Sequence, residues 1–186
     1  MEYRKTVELK NGRTCILRNC TEADASAVVD NYVLTHIQTD YLLAYPDEIH
    51  MTVDQEAQFL KGREKSPNEI ELLAETDGKL IGLAGFWAVG AREKVRHRAE
   101  LGVSVDQAYW GLGVGRAMLN ACIECARNAG YAQLELEVVG DNERAIALYR
   151  SEGFTEFGRN PKGFRSRRTG WQELVSMRLE LNVPEE

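Results

Sequence analysis

The sequence predicts a mixed α/β fold in which a mostly antiparallel sheet carries one parallel crossover and helices lie on its faces. Three observations lead there. Two stretches of alternating apolar residues, "VELKNGRTCILR" and "EIELLAETDGKLIGLAGFWAV", each turn on an Asn-Gly or Asp-Gly pair and read as hairpins. Two capped helical stretches lie between them. "AELGVSV", an amphipathic helix and "AQLELEV" then follow within about 40 residues, a length that suits two parallel strands joined by a helix.

Taken in order, the first hairpin turns at Asn11-Gly12. "TEAD" offers Thr21 as a cap with an acid three residues on, opening a helix that runs to about His36. "TVDQ" repeats the signal from Thr52 for a helix ending near Lys65. Between them "TDYLLAYPDEIHM" is irregular. Its Tyr41, Tyr45, Asp40, Asp47 and Glu48 read either as a solvated connection or as a wall whose acids attract a cationic amine. The second hairpin turns at Asp77-Gly78, and Ala99 to Val105 forms a fourth long strand. Val114, Ala117, Met118, Ala121, Cys122, Cys125 and Ala129 mark one helix face, closed by Gly130. "DNERAIALYRSEG" is a short helix with an Asp or Asn cap, ended by Gly153. "WQELVSMRLEL" closes the fold with Val175, Met177, Leu179 and Leu181 on one face. The basic run Arg159 to Arg168 joins the last two strands as a solvated hairpin, unless it meets phosphates, an acidic substrate or a partner subunit of a homodimer.

Composition narrows the function. The chain has 186 residues, 44% apolar and 28% charged, enough for a substantial core. No linker, repeat or low-complexity tract interrupts it, so one domain over residues 1–186 is expected. A formal charge of −6 argues against nucleic acid or an anionic membrane as the main partner. No apolar run reaches the roughly 20 residues of a membrane helix, and "MEYRKTVELK" has no signal-peptide pattern. A cytoplasmic protein is the expectation. Cys122 and Cys125 read C-x-x-C inside a helical pattern, without a second pair or a histidine cluster. With Cys15 and Cys20 they are expected to be buried and reduced, and no metal is expected. His36, His50 and His97 are scattered without a G-x-S-x-G elbow, which argues against a serine-histidine-acid triad.

The chemistry concentrates in "YWGLGVGRAML". Gly111, Gly113 and Gly115 alternate between a strand and a helix, where each costs backbone entropy and buries nothing. A helix start exposes unpaired N–H groups with positive dipole character, and glycines let a phosphate approach them. Arg116 adds a cation. The alternative is a tight turn with close helix packing. A Walker A loop would end in G-K-[ST], and a dinucleotide fingerprint would space its glycines G-x-G-x-x-G.

"GVSVDQAYWGLGVGRAML" and "LEVVGDNERAIALYRSEGF" together resemble the GNAT superfamily of acyl-CoA N-acetyltransferases, across nearly the whole chain. A subgroup resemblance points to ribosomal-protein N-terminal acetyltransferases. One position departs: Trp110 stands where family loops often open with Arg or Gln. The resemblance implies a twisted, mostly antiparallel sheet whose parallel fourth and fifth strands splay apart at a bulge. The pantetheine arm of acetyl-CoA would pair in that gap like an added strand. Val103, Ser104 and Val105 match the backbone that holds the arm. Gly111, Leu112, Gly113, Val114, Gly115 and Arg116 match the pyrophosphate cradle, and Asn142 matches a residue touching the arm.

Tyr149 matches the tyrosine that protonates or orients the departing sulfur. Asn142 and Tyr149 share a helix face about 10 Å apart, so both suit one extended ligand. A cap role for Asn142 and a core role for Tyr149 are the plainer readings. Glu137 precedes Tyr149 by twelve residues, a spacing that resembles the glutamate base of the N-terminal subgroup. Glu100 begins the fourth strand, where other members carry a base. Glu135 shares the strand face of Glu137. The function expected is acetyl transfer from acetyl-CoA to a primary amine, on a protein N-terminus or a small amine or amino acid. The alternative is a CoA-binding sensor or interaction module without catalysis.

Overall fold

The computed structural model describes residues 1–181. Eight strands form one sheet in the order β1-β2-β3-β4-β5-β6-β8-β7. The first hairpin is β1 (Arg4–Glu8) and β2 (Thr14–Asn19), and the second is β3 (Ile70–Thr76) and β4 (Lys79–Ala88). In the second, Asp77 and Gly78 both take positive φ, 51° and 73°, the twist a two-residue turn requires. The first closes one residue wider than expected, because Leu9 pairs with Arg13 around Lys10, Asn11 and Gly12.

Between the hairpins, a single 3-10 turn at Glu22–Asp24 leads into α1 (Ala25–Gln38), with Thr21 and Asp24 in a capping box. Thr52 caps α2 (Val53–Lys65), its hydroxyl accepting from the Gln55 N–H at 3.2 Å. Both helices cover one face of β2–β4, where Val28 and Leu60 meet Leu73 and Leu83.

On the opposite face lies α3 (Val114–Asn128), following β5 (Arg98–Val105) and preceding β6 (Gln133–Val139). Its inward face, Val114, Met118, Ala121, Cys122 and Cys125, is buried as its spacing demands. All four cysteines are buried and unbridged. The expected fourth strand is thus the fifth, because each hairpin contributes two strands before it. It runs parallel to β6 while every other neighbouring pair is antiparallel. The bulge expected there is missing: β4 and β5 pair without a register shift from Gly82↔Val105 to Ala88↔Ala99.

After β6 come α4 (Glu143–Ser151), β7 (Thr155–Ser166) and β8 (Gly170–Glu180). The basic run belongs mostly to β7, not to a connecting loop. Its pairing with β8 shifts register between Asn160 and Phe164, around Pro161, and Arg167–Thr169 make the turn. Pro is tolerated there because β7 is an edge strand. No helix of the described residues is long and apolar enough to cross a membrane.

Candidate active site

Strands β5 and β6 pair for three residues only, Arg98–Glu100 beside Gln133–Glu135. Beyond them β5 continues along β4 to Val105, while β6 follows β8 to Val139. The strands part because each keeps a different partner. The gap opens into a cavity of about 820 Å³, within the size range of cofactor sites.

Strand alternation decides which backbone groups face it. The Arg98 carbonyl accepts from the Val89 N–H, and the Asp106 N–H donates to the Ile81 carbonyl. Even-numbered residues of β5 therefore address β4. With a period of two, the main chain of Leu101, Val103 and Val105 faces the gap. The Trp110 indole N–H donates to the Val105 carbonyl from that side at 2.7 Å. Ser104 departs from expectation: its backbone addresses β4, and only the residue's other face lines the cavity.

The loop after β5 is held from both ends. The buried Asp106 carboxylate accepts from Lys79 and Gln38, each at 2.9 Å, and from the Ala108 N–H at 3.1 Å. The Leu112 carbonyl accepts from the Lys10 N–H at 3.0 Å. Gly111 and Gly113 take φ of +82° and +96°, where a side chain is strained. A Cβ on Gly113 would meet nothing within 4 Å, so the space before it is open. The N–H groups of Val114, Gly115 and Arg116 precede the first bond of α3, from Ala117 N–H to the Gly113 carbonyl. They have no partner inside the helix and can meet an anion. Gly115 meets neither requirement: its φ is not positive, and a Cβ there would make ordinary contact with Leu148 at 3.6 Å.

Two cradle expectations need correction. Leu112 does not line the cavity but packs against the core. Arg116 lines it, yet its guanidinium is engaged by Glu152 and by the Ser151 hydroxyl at 3.0 Å. Two cations that the sequence reading missed also line this end, Lys10 and Arg144, the latter stacked 5.1 Å from the Trp110 ring. Arg144 lies two residues after Asn142, so its helical position was the available signal. Lys10 approaches from the distant first hairpin and gave none.

Asn142 and Tyr149 both line the cavity. Asn142 does cap α4, its side-chain oxygen accepting from the Ala145 N–H at 3.2 Å, which leaves its amide NH2 free as a donor. Tyr149 packs on Phe154 with ring centres 5.8 Å apart. Burial, with Cys122 adding, pushes its phenol up to about 12, so it stays protonated at neutral pH.

The three glutamates separate. Glu135 is paired with Arg98 and lies outside the cavity lining. Glu100 lines it, accepting from the Trp87 indole N–H at 3.2 Å. Glu137 lines it too, exposed and accepting from the Ser176 hydroxyl at 3.3 Å. Of the irregular connection, Tyr41, Leu42 and Leu43 line the cavity. Its acids serve another purpose: Asp40 accepts from the Ser166 hydroxyl, and Asp47 and Glu48 pair with Arg167 at 2.7 and 3.7 Å. They clamp the β7–β8 turn. Tyr45 borders a separate hollow of about 120 Å³ with His36 and Arg168. Among the described residues no cluster could hold a metal ion.

Residues 33–154, more than half of the chain, match the model of the acetyltransferase (GNAT) family. The chain belongs to the GNAT acetyltransferases. It is 35% identical over 100 residues to the N-alpha-acetyltransferase RimI of Mycobacterium tuberculosis, covering 54% of this chain and 61% of that one. To the L-amino acid N-acyltransferase MnaT of Escherichia coli it is 26% identical over 167 residues, 89% of this chain and 94% of that one. The crystal structure of a GNAT acetyltransferase from Streptococcus pneumoniae superposes with a TM-score of 0.85 at 28% identity, covering 89% and 99% of the two chains. The chain spans 24% to 64% of the length of the first curated relatives it matches. The cavity has the shape an acyl-CoA would need: an open strand edge leads to an open helix N-terminus flanked by cations.

Proposed function

We propose that this chain, read as one catalytic domain, transfers acetyl from acetyl-CoA to a primary amine by direct attack within a ternary complex. One observation carries the reading: the splayed edge of β5 and the glycine-opened start of α3 share a single cavity. Acetyl-CoA supplies an activated thioester there. The amides of Val114, Gly115 and Arg116 grip the diphosphate, with Gly111 and Gly113 giving it access. Val103 and Val105 offer strand-edge groups to the pantetheine arm, and the Asn142 amide donates to it.

The Val103 N–H faces the gap and polarises the acyl carbonyl, placing a fixed donor where negative charge develops. Glu137 accepts the ammonium proton directly or through water, with Glu100 the second choice. Tyr149, protonated, delivers a proton to the departing sulfur. Alignment of both reactants in one cleft supplies much of the remaining rate. A protein N-terminus is the favoured acceptor from the likeness to RimI and the Glu137 spacing. A small amine or amino acid comes next, the latter from the likeness to MnaT.

The test is release of free thiol from acetyl-CoA with a panel of N-terminal peptides, amines and amino acids. Thiol release that depends on the acceptor, with acetylated product detected by mass, is the expected outcome. Tight CoA binding with no acceptor-dependent release contradicts transfer and favours a sensor.

A further inference from the structure

Strand alternation assigns one wall of the cavity to the sheet face that α1 and α2 cover. Leu83 packs under those helices, and Trp87 shares its face of β4. Trp87 pairs with Glu100, and Glu100 with Glu135, so Glu137 faces the same way. Both candidate bases lie on this face, and the attacking amine must approach over it. Register carries the face onward, from Val139 to Leu174 of β8 and from Gln172 to Phe164 of β7. Trp87, Phe164 and Leu174 are half-buried and line the cavity. Leu174 packs against Gly163, whose missing side chain leaves it room beside Phe164.

The connection that follows α1 adds Tyr41, Leu42 and Leu43 to the lining. The Tyr41 hydroxyl donates to the Asp141 carbonyl at 3.5 Å, which holds the connection against the β6–α4 loop. Leu43 is 88% exposed and Tyr41 39%, so both stand at the mouth. Charge is distributed unevenly. No residue lining the cavity from β4–β8, α1 or this connection is a cation, and the charged ones are Glu100 and Glu137. The lining cations belong to the glycine loop and its neighbours. Lys10 is bonded to Leu112 through its backbone, the Arg144 guanidinium lies 3.8 Å from the Cβ position of Gly111, and Arg116 is engaged by Glu152. A free amino acid would thus set its carboxylate against two others on a wall with no cation, at a cost in desolvation and repulsion. An amide there carries no charge. The pantetheine arm leaves this wall free, because it follows β5 whereas Phe164 and Leu174 lie beyond β6.

We infer that the acceptor is a peptide N-terminus whose first side chain is large and apolar, seated on Phe164 and Leu174, with the following residues crossing Leu43 as the chain leaves. The inference rests on the acetyl-transfer reading and names the substrate class of that site. Leu174 lies beside Val139, two residues along β6 from Glu137, which is about 6–7 Å. A side chain of leucine size spans that distance from an amine held at Glu137. A small amine enclosed in the cavity would leave Leu43 in water, whereas a chain passing out of the mouth covers it. Free amino acids are expected to be poor acceptors, unlike the substrates in the name of the MnaT relative.

The experiment measures thiol release at saturating acetyl-CoA with leucinamide, glycinamide, free leucine, 3-methylbutylamine and a tetrapeptide amide that begins with leucine. The expected kcat/KM of leucinamide exceeds those of glycinamide and free leucine by at least about tenfold each, through side-chain burial and the unpaired carboxylate respectively. The tetrapeptide matches or exceeds both leucinamide and 3-methylbutylamine. Phe164→Ala brings leucinamide and glycinamide toward parity, with KM for acetyl-CoA unchanged. Leu43→Ser, a change at an exposed position, lowers kcat/KM for the tetrapeptide by at least about threefold and spares leucinamide. Glycinamide or free leucine used as well as leucinamide overturns the inference. A ranking that survives both substitutions also overturns it, and 3-methylbutylamine used better than the tetrapeptide replaces the peptide with a small amine. Calorimetry of the tetrapeptide against the CoA-saturated protein separates the two readings. Tetrapeptide binding weakened by Phe164→Ala, without thiol release from any amine, sinks acetyl transfer but keeps the site. Amine-dependent thiol release with no preference among the amines sinks the site alone.

Discussion

At Tyr149, burial and the neighbouring Cys122 hold the phenol protonated through the physiological range, up to about 12. A group in that state donates a proton or a hydrogen bond and does not act as a base. Tyr149→Phe keeps the ring packed on Phe154 and removes only the hydroxyl. Steady-state kinetics should show kcat lowered by roughly 10²-fold, with KM for acetyl-CoA within about twofold, the pattern of an interaction made mainly in the transition state. Equal kcat in variant and parent would remove the role. Tyr149 and Asn142 were legible because a capped helix of fixed length puts both on one face. The glutamates were not. Strand alternation places Glu135 and Glu137 on the same face, and only the ion pair with Arg98, far away in sequence, takes Glu135 out. Trp110 was unreadable for a similar reason. Its role is a bond to the Val105 carbonyl and a platform for Arg144.

At the scale of elements, the glycine turn has a divided explanation. Gly111 and Gly113 meet a backbone requirement, whereas a Cβ at Gly115 would find ordinary contacts. Gly113→Val therefore acts in two ways. The positive φ costs about 1–2 kcal/mol of stability, and the branched side chain projects into the open space where a diphosphate would rest. Thermal unfolding should show a modest loss while the affinity for CoA falls by at least about tenfold, equivalent to about 1.4 kcal/mol. Unchanged affinity in a folded variant would defeat the cradle. Hairpins and helices were legible because their turns and caps are local chemistry. Strand β7 was not, because Gly158, Asn160, Pro161 and Gly163 carry loop signals, while the strand is fixed by irregular pairing with β8. The acids of the α1–α2 connection failed likewise. Asp47 and Glu48 read as free charges until Arg167, brought by that turn, pairs with them.

Across the whole molecule, the sheet converts a change of partner into a binding site. The β5–α3–β6 crossover makes β5 and β6 parallel, and β6 then leaves to follow β8, so a strand edge is exposed in the middle of the sheet. The crossover was readable from its length, whereas the parting was expected only through family resemblance and was placed at a bulge. Partner choice, not a bulge, produces it. The cavity lining carries the cations Lys10, Arg116 and Arg144 together with the acids Glu100, Glu137, Asp141 and Glu143.

Calorimetric titration of CoA into the folded wild-type protein tests this arrangement most directly. The predicted result is saturable one-to-one binding that weakens as salt is raised, as expected for a diphosphate held by amides and partly exposed cations. No heat of binding from a protein whose circular dichroism and thermal transition show an intact fold would contradict it.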